Sequence, residues 1–287
     1  MHGDLIMETV LPWPIWKNAQ PREYPYGSSG LLFALVISII YLTTLLVIGL
    51  LFRKASKELK NPQLKYWSYG FLVVFTFDTL HVIGDILFYL TNDSRVPISF
   101  DSIVLYYYPT ATSLSVLGII VFYMLVFYYS MIQVHKRLML SDKIIILLNI
   151  VGIFIGINPF NWWHMTPPEE AFDTKPITGM FLFILGILAV FAFFKYVMNI
   201  VKPQAKEDKT KAVQFKFLKI SLIFMSLLTL LMVLHGIMAK FKAPWVVTGL
   251  LIVTFFKLLS MILMAIFVWI GLCTPKFIVK KYKNIVN

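Results

Sequence analysis

Charged side chains are scarce in this sequence. They make up 14% of 287 residues, whereas a soluble domain carries about 25% to cover its water-facing surface. Hydrophobic residues make up 59%, so much of the outer surface must face lipid. This composition excludes a soluble enzyme and an intrinsically disordered chain. Cysteine is nearly absent too, and the single Cys273 excludes an intramolecular disulfide scaffold.

Motifs for nucleotide binding or hydrolysis are also lacking in the sequence. It contains no Walker motif, no glycine-rich dinucleotide fingerprint, no His-Glu-x-x-His and no nucleophile elbow. The tail 273–287 is too short for a kinase or cyclase domain, so we expect any inward signal to pass through a separate partner. The sequence therefore favours a receptor or transporter over an enzyme.

Long apolar runs, by contrast, are plentiful. A run of about 20 residues crosses a hydrocarbon core of about 30 Å, and seven runs approach or exceed that length. They cover 30–52, 67–90, 103–131, 144–161, 178–201, 218–238 and 246–272. We predict an all-α, polytopic membrane protein, a seven-transmembrane-helix bundle over 30–272. The segment 1–29 has no signal-peptide core and is expected to be extracytoplasmic.

Lysine and arginine predict the direction of these runs. Eighteen of the 26 lie in four segments on one side, 53–66, 132–143, 202–217 and 273–287, with Lys219 at their edge. Because basic loops stay in the cytoplasm, we expect the N-terminus outside and the C-terminus in the cytoplasm of a cell-membrane protein.

The net charge of +12 follows from this topology. It indicates attraction to anionic lipids rather than to nucleic acid, because no aromatic residues are interleaved with a basic patch. The basic segment 202–217 is a predicted docking site for a cytoplasmic partner. Gly152 and Gly156 form a Gly-x-x-x-Gly that favours close helix packing or a homo-oligomer.

Ionisable residues within the runs mark the candidate site. The second run reads FTFDTLHVIGDILF, in which Asp78, His81 and Asp85 share an arc of roughly 60° on a helix. A charge at the centre of a membrane helix costs roughly 2.5–3.5 kcal/mol or more, so this face must point towards other helices. Asp78 is expected near mid-membrane.

Lys257 lies near the middle of the seventh run, too deep to reach the membrane surface comfortably. A lysine at this depth needs a carboxylate to hold it charged, so we predict a pair with Asp78 or Asp85. Further residues expected to line the same cavity are His235 on the sixth run and Tyr107 and Thr110 at the outer end of the third.

These residues predict a receptor or transporter that handles a small ligand, an ion or a proton between helices 2, 3, 6 and 7. Asp78 and Lys257 would form a switchable pair, with His81, Asp85 and His235 as a proton relay. A purely structural ion pair that fixes helix register is the simpler alternative.

Seven runs, an outside N-terminus and a central lysine on the last run resemble the arrangement of rhodopsins. The resemblance implies retinal as cofactor, bound to Lys257 as a Schiff base, with Asp78 or Asp85 as counter-ion. The detailed motifs differ, since position 253 is Val where an Asp is common and the sixth run lacks the Trp and Tyr-Pro elements.

Two further alternatives rest on smaller features. Pro62-Gln63 and Pro203-Gln204 resemble the motif of PQ-loop transporters, although here both pairs lie in charged segments. Asp78, His81, Asp85 and His235 are residue types that bind zinc or a harder divalent ion, which would suit a metal-dependent membrane hydrolase. A cationic Lys257 at the same depth would oppose that metal.

Overall fold

All regular structure in the described residues is helical. The computed structural model describes 27–91, 99–156, 175–238, 244–275 and 278. Seven long helices occupy this part of the chain. They are α1 (Gly27–Glu58), α2 (Leu64–Thr91), α3 (Ser99–His135), α4 (Leu140–Gly156), α5 (Lys175–Tyr196), α6 (Lys209–Met238) and α7 (Pro244–Cys273).

The helices agree with the predicted runs, one helix to each run. Among the described residues, five segments are long and apolar enough to cross a membrane, which is consistent with an integral, multi-pass membrane protein. These five are Leu35–Glu58, Ser115–His135, Leu182–Gln204, Lys209–His235 and Ile252–Cys273. Helix α4 is described over only 17 residues, and the predicted end of the fourth run at 157–161 lies outside the described residues.

The end of α5 departs from regular helix geometry. A π-helical turn, Val197–Val201, follows α5 and leads into a single turn, Lys202–Gln204. Proline has no N–H, and its ring clashes with the carbonyl four residues earlier in an α-helix. For Pro203 that carbonyl belongs to Asn199, within the widened turn. The Pro203-Gln204 pair therefore ends a helix, whereas Pro62-Gln63 lies in the turn before α2.

Contacts between helices form a closed ring in the order α1, α2, α3, α5, α6, α7 and back to α1. Helix α4 lies outside this ring and packs against α3 and α5. Its outer face carries exposed apolar side chains, with Phe154 and Leu147 the most exposed on that face beyond its first residue. Gly152 is buried, and the burial of Gly156 is outside what the structure describes. The homo-oligomer stays a prediction.

An aromatic cluster centred on Trp67 forms the core at the end where α1 finishes and α2 begins. Trp67 is almost fully buried, and its ring lies 5.5–6.2 Å, between centroids, from five other rings. These belong to Phe52, Phe71, Phe122, Tyr129 and Phe193. The cluster joins α1, α2, α3 and α5. Offset or edge-on ring pairs of this kind stabilise the packing of these helices by more than their buried area alone would.

Helices α5 and α6 approach closely at Gly186. A Cβ at this position would lie 2.7 Å from Cγ2 of Thr229, so close that one of the two helices or the Thr229 side chain would have to shift. Thr229 in turn lies with its hydroxyl 3.1 Å from that of Tyr123 on α3. Glycine at 186 therefore allows three helices to meet at one polar contact.

Candidate functional site

Asp78 lies near the middle of α2 and is buried, at 8% exposure. Both of its carboxylate oxygens accept hydrogen bonds from other helices. The Tyr41 hydroxyl of α1 donates to Oδ2 at 2.6 Å, and the Ser115 hydroxyl of α3 donates to Oδ1 at 2.5 Å. One carboxylate thus holds three helices, and hydrogen bonds to a charged acceptor are the stronger kind.

Tyr41 and Ser115 differ from most other hydroxyls in the described helices. A hydroxyl within a membrane helix commonly donates to the carbonyl one turn earlier in its own helix, which satisfies it locally. Residues that do so are Thr43, Thr44, Thr76, Thr79, Ser130 and Ser226. Tyr41 and Ser115 instead donate to a side chain of a neighbouring helix, so their hydrogen bonds link helices rather than satisfy the hydroxyls locally.

A histidine and a lysine interact electrostatically with Asp78. One is His81, a turn further along α2, and the other is Lys257, near the middle of α7. Lys257 also interacts electrostatically with His235 on α6, whose Nδ1 lies 3.4 Å from the Thr254 hydroxyl of α7. The structure therefore brings Asp78, His81, Lys257 and His235 into one electrostatic group.

For three predicted members of the site, the structure does not describe the side chain. The side chains of Asp85, Tyr107 and Thr110 lie outside the described part of α2 and α3. Their place in the cavity stays a prediction, as does the role of every residue in the group.

Sequence reasoning missed the contribution of α1. Tyr41 is the only tyrosine in that helix, and it lies near its middle, as Asp78 and Lys257 do in theirs. Comparing the depth of polar residues across all runs would have identified it. Ser115 carries no comparable signal, because serine in an apolar helix usually bonds to its own backbone.

The arrangement of these side chains does not favour metal binding. Within the described residues no group of three or more His, Cys, Asp or Glu is placed to hold a metal ion, although Asp85 is not among them. Both Asp78 oxygens already accept hydrogen bonds, and Lys257 places an amino group within electrostatic range. These features suit pairing with a cationic side chain rather than with a metal.

A second buried carboxylate lies at the opposite, basic end of the molecule. Asp142 is 3% exposed in the first turn of α4. Its Oδ2 accepts a hydrogen bond from the Met139 backbone N–H at 2.9 Å and lies 3.2 Å from Nδ1 of His135. This is half of a capping box, in which a side chain in the first turn reaches back to the residue before the helix.

A carboxylate held by hydroxyls beside a histidine and a lysine has a definite chemical repertoire. It can take up and release a proton, or exchange its partner for a small charged ligand, and either event changes the charge inside the ring of helices. Comparison with protein-family models, curated proteins and solved structures gives no match for this chain.

Proposed function

We propose that the chain is a seven-helix membrane receptor or transporter that handles a small ligand, ion or proton at Asp78. The observation that carries the proposal is the convergence of four helices on one carboxylate. Helices α1, α2 and α3 meet there through hydrogen bonds, and α7 through the interaction with Lys257. A change in the charge of Asp78 acts on all four helices together, which is what a switch requires.

Additional titratable groups favour a working site over a purely structural ion pair. Fixing the register of two helices needs one acid and one base. Here His81 and His235 join the same electrostatic group. An imidazole ring can donate a hydrogen bond through one nitrogen and accept one through the other, so the proposal assigns these two side chains to a proton relay.

The basic helix ends support the proposed direction of the chain in the membrane. Lys57 in the last turn of α1, Lys65 in the first turn of α2 and Lys136 after α3 belong to the same end of the ring as the Trp67 cluster. The positive-inside rule places this end in the cytoplasm. The N-terminus is then outside, and the Asp78 site, beyond the aromatic cluster, opens outward.

Cysteine labelling in intact cells tests this topology. In a Cys273→Ser background, single cysteines at Ser94 and Lys175 should react with an impermeant thiol reagent. Cysteines at Lys60, Lys209 and Lys283 should react only after the cells are opened. The reverse pattern would overturn the orientation and the outward-opening site.

Reconstitution in liposomes tests the proposed activity. A pH gradient is imposed across vesicles that enclose a pH-sensitive dye. A proton-coupled transporter passes protons, and Asp78→Asn should abolish the flux while Asp142→Asn, a matched change at the other buried carboxylate, leaves it unchanged.

A receptor would pass no protons in the same vesicles. Its cytoplasmic end should instead shift with external pH, measured with a fluorophore on a cysteine introduced at Lys209, and the shift should disappear in Asp78→Asn. If neither flux nor fluorescence distinguished Asp78→Asn from Asp142→Asn, the Asp78 site would have no such function.

Retinal binding is a second candidate, favoured by one observation. Lys257 has the carboxylate of Asp78 within electrostatic range, as a Schiff base requires of its counter-ion. An absorption spectrum of the purified protein, incubated with retinal, tests it. A visible band that disappears in Lys257→Met would support this candidate, and absence of the band would remove it.

A further inference from the structure

A groove opens between α2, α3 and α4, away from the Asp78 site. Its volume is about 370 Å³, within the range of about 300–1,000 Å³ that small-molecule sites occupy. The lining residues are Tyr66, Met124, Leu125, Tyr128, Leu138, Lys143 and Ile146. Six of these seven lie on α3, on α4 or in the turn between them, and Tyr66 lies on α2, so the peripheral helix α4 forms one wall.

Polarity changes along the groove from its mouth inward. Tyr66 and Lys143 lie near the basic ends of α2 and α4, and Leu138 lies in the turn between α3 and α4. The Lys143 side chain is exposed. Counting about 1.5 Å per residue, Met124 lies roughly 16 Å along α3 from His135, well inside the apolar region. The groove therefore has a charged mouth and an apolar interior, as a bound lipid molecule requires.

Aromatic hydroxyls add polar groups near the mouth. The rings of Tyr66 and Tyr128 meet edge to face, with centroids 4.8 Å apart. Tyrosine with one apolar and one wet end is typical of the membrane interface. The pair lines the same groove as Lys143, which suits a groove that reaches the membrane interface.

Further basic residues lie near the lining residues of the groove in the sequence. Lys65 adjoins Tyr66, and Lys136 and Arg137 adjoin Leu138, and all three are exposed. The acidic neighbour of Lys143, Asp142, is turned inward and already engaged by Met139 and His135. Basic pockets between membrane helices on the cytoplasmic side bind anionic lipid head groups.

We propose that this groove binds one anionic phospholipid. An acyl chain lies against Met124, Leu125 and Ile146, and the phosphate pairs with Lys143. The proposal is independent of the function assigned to Asp78, because no residue is shared between the two sites.

Native mass spectrometry of the full chain in detergent tests the headgroup. The protein is titrated with phosphatidylglycerol and with phosphatidylcholine of the same acyl chains. Lys143→Gln should weaken phosphatidylglycerol binding about fivefold, the effect of one surface cation, and leave phosphatidylcholine unchanged. Lys57→Gln, an exposed lysine at the same end of the ring but on α1, is the matched control and should change neither.

A second variant tests the apolar interior. Leu125→Trp fills the groove and should remove the preference for phosphatidylglycerol over phosphatidylcholine. Ile223→Trp, on the exposed face of α6, is its control and should keep that preference. Helical circular dichroism confirms that each variant is folded.

Several results would overturn the proposal. One is an equal loss in Lys143→Gln and Lys57→Gln, which would mean that surface charge alone attracts the lipid. Another is an unchanged lipid preference in Leu125→Trp. A third is displacement of phosphatidylglycerol by inorganic phosphate at equal concentration, which would make Lys143 a plain anion site.

Discussion

Asp78 and Asp142 are both buried carboxylates, yet their partners lie at very different distances along the chain. Asp142 bonds to Met139 and His135, three and seven residues away. Asp78 bonds to Tyr41 and Ser115, each 37 residues away on another helix. Asp142 completes one helix end, whereas Asp78 determines how separate helices meet.

Local structure explains the burial of Asp142 but not that of Asp78. A carboxylate at a helix N-terminus satisfies backbone donors and is favoured by the helix dipole, so local structure explains it. No backbone donor is available in the middle of α2, and a charge there is costly in a membrane. Asp78 therefore needs a reason beyond the helix that carries it.

Separating Asp78 from Lys257 should have the largest effect. Asp78→Asn and Lys257→Met should each lower the free energy of unfolding by about 3 kcal/mol, because each leaves a charge without its partner. The double variant should recover much of that loss. Unfolding in sodium dodecyl sulfate measures all three.

Strictly additive losses in the double variant would contradict an interaction between Asp78 and Lys257. Asp142→Asn combined with Lys257→Met is the control. It should be additive, because Asp142 lies at the far, basic end of the molecule.

Removing the hydroxyl donors should have the next largest effect. Tyr41→Phe and Ser115→Ala should each cost about 1–2 kcal/mol, since each removes a hydrogen bond to a carboxylate within the membrane region. Thr44→Val and Ser226→Ala are the matched controls, because their hydroxyls bond only within their own helices. Equal losses in all four variants would show that Asp78 gains nothing from its interhelical donors.

Asp142 should behave as a local cap. Asp142→Ala should cost about 1 kcal/mol, the usual effect of losing a helix cap, and Asp142→Asn less, because its amide oxygen still accepts from Met139. Hydrogen exchange should quicken in the first turns of α4 and remain unchanged around Asp78. Faster exchange in the middle of α2 would show that the two carboxylates are coupled.

His81→Gln should have the smallest effect on stability and a clear effect on pH dependence. Glutamine keeps polar bonding without a change of charge, so the variant should fold. Any proton flux or fluorescence response that depends on pH should depend on it less, because glutamine, unlike histidine, cannot take up a proton. An unchanged profile would leave His81 as a packing residue.

The sequence predicted the helices well, because seven apolar runs and their basic ends are strong signals. It also singled out Asp78 and Lys257, since ionisable residues stand out in apolar helices. It did not predict Tyr41 and Ser115 as partners. Nothing local distinguishes Ser115 from Ser130, whose hydroxyl bonds to its own helix, because the rotation of each helix in the ring decides the difference.

The turn at the end of α5 could not be predicted for a similar reason. Hydrophobic periodicity reports which face of a helix is buried, but the widening at Val197–Val201 adds a residue without changing how apolar the segment is. The position of α4 outside the ring also depends on packing with α3 and α5, which its own apolar sequence does not encode.

The lack of a side chain at Gly186 determines how closely α5 and α6 approach each other. A methyl group there would meet Thr229, which cannot rotate freely because its hydroxyl is bonded to Tyr123 and to the Met225 carbonyl. An alanine would thus act as a wedge that pushes α6 outward. Helix α6 also carries His235, about 9 Å along the helix from Thr229, so an alanine at position 186 would change the separation of this histidine from Lys257.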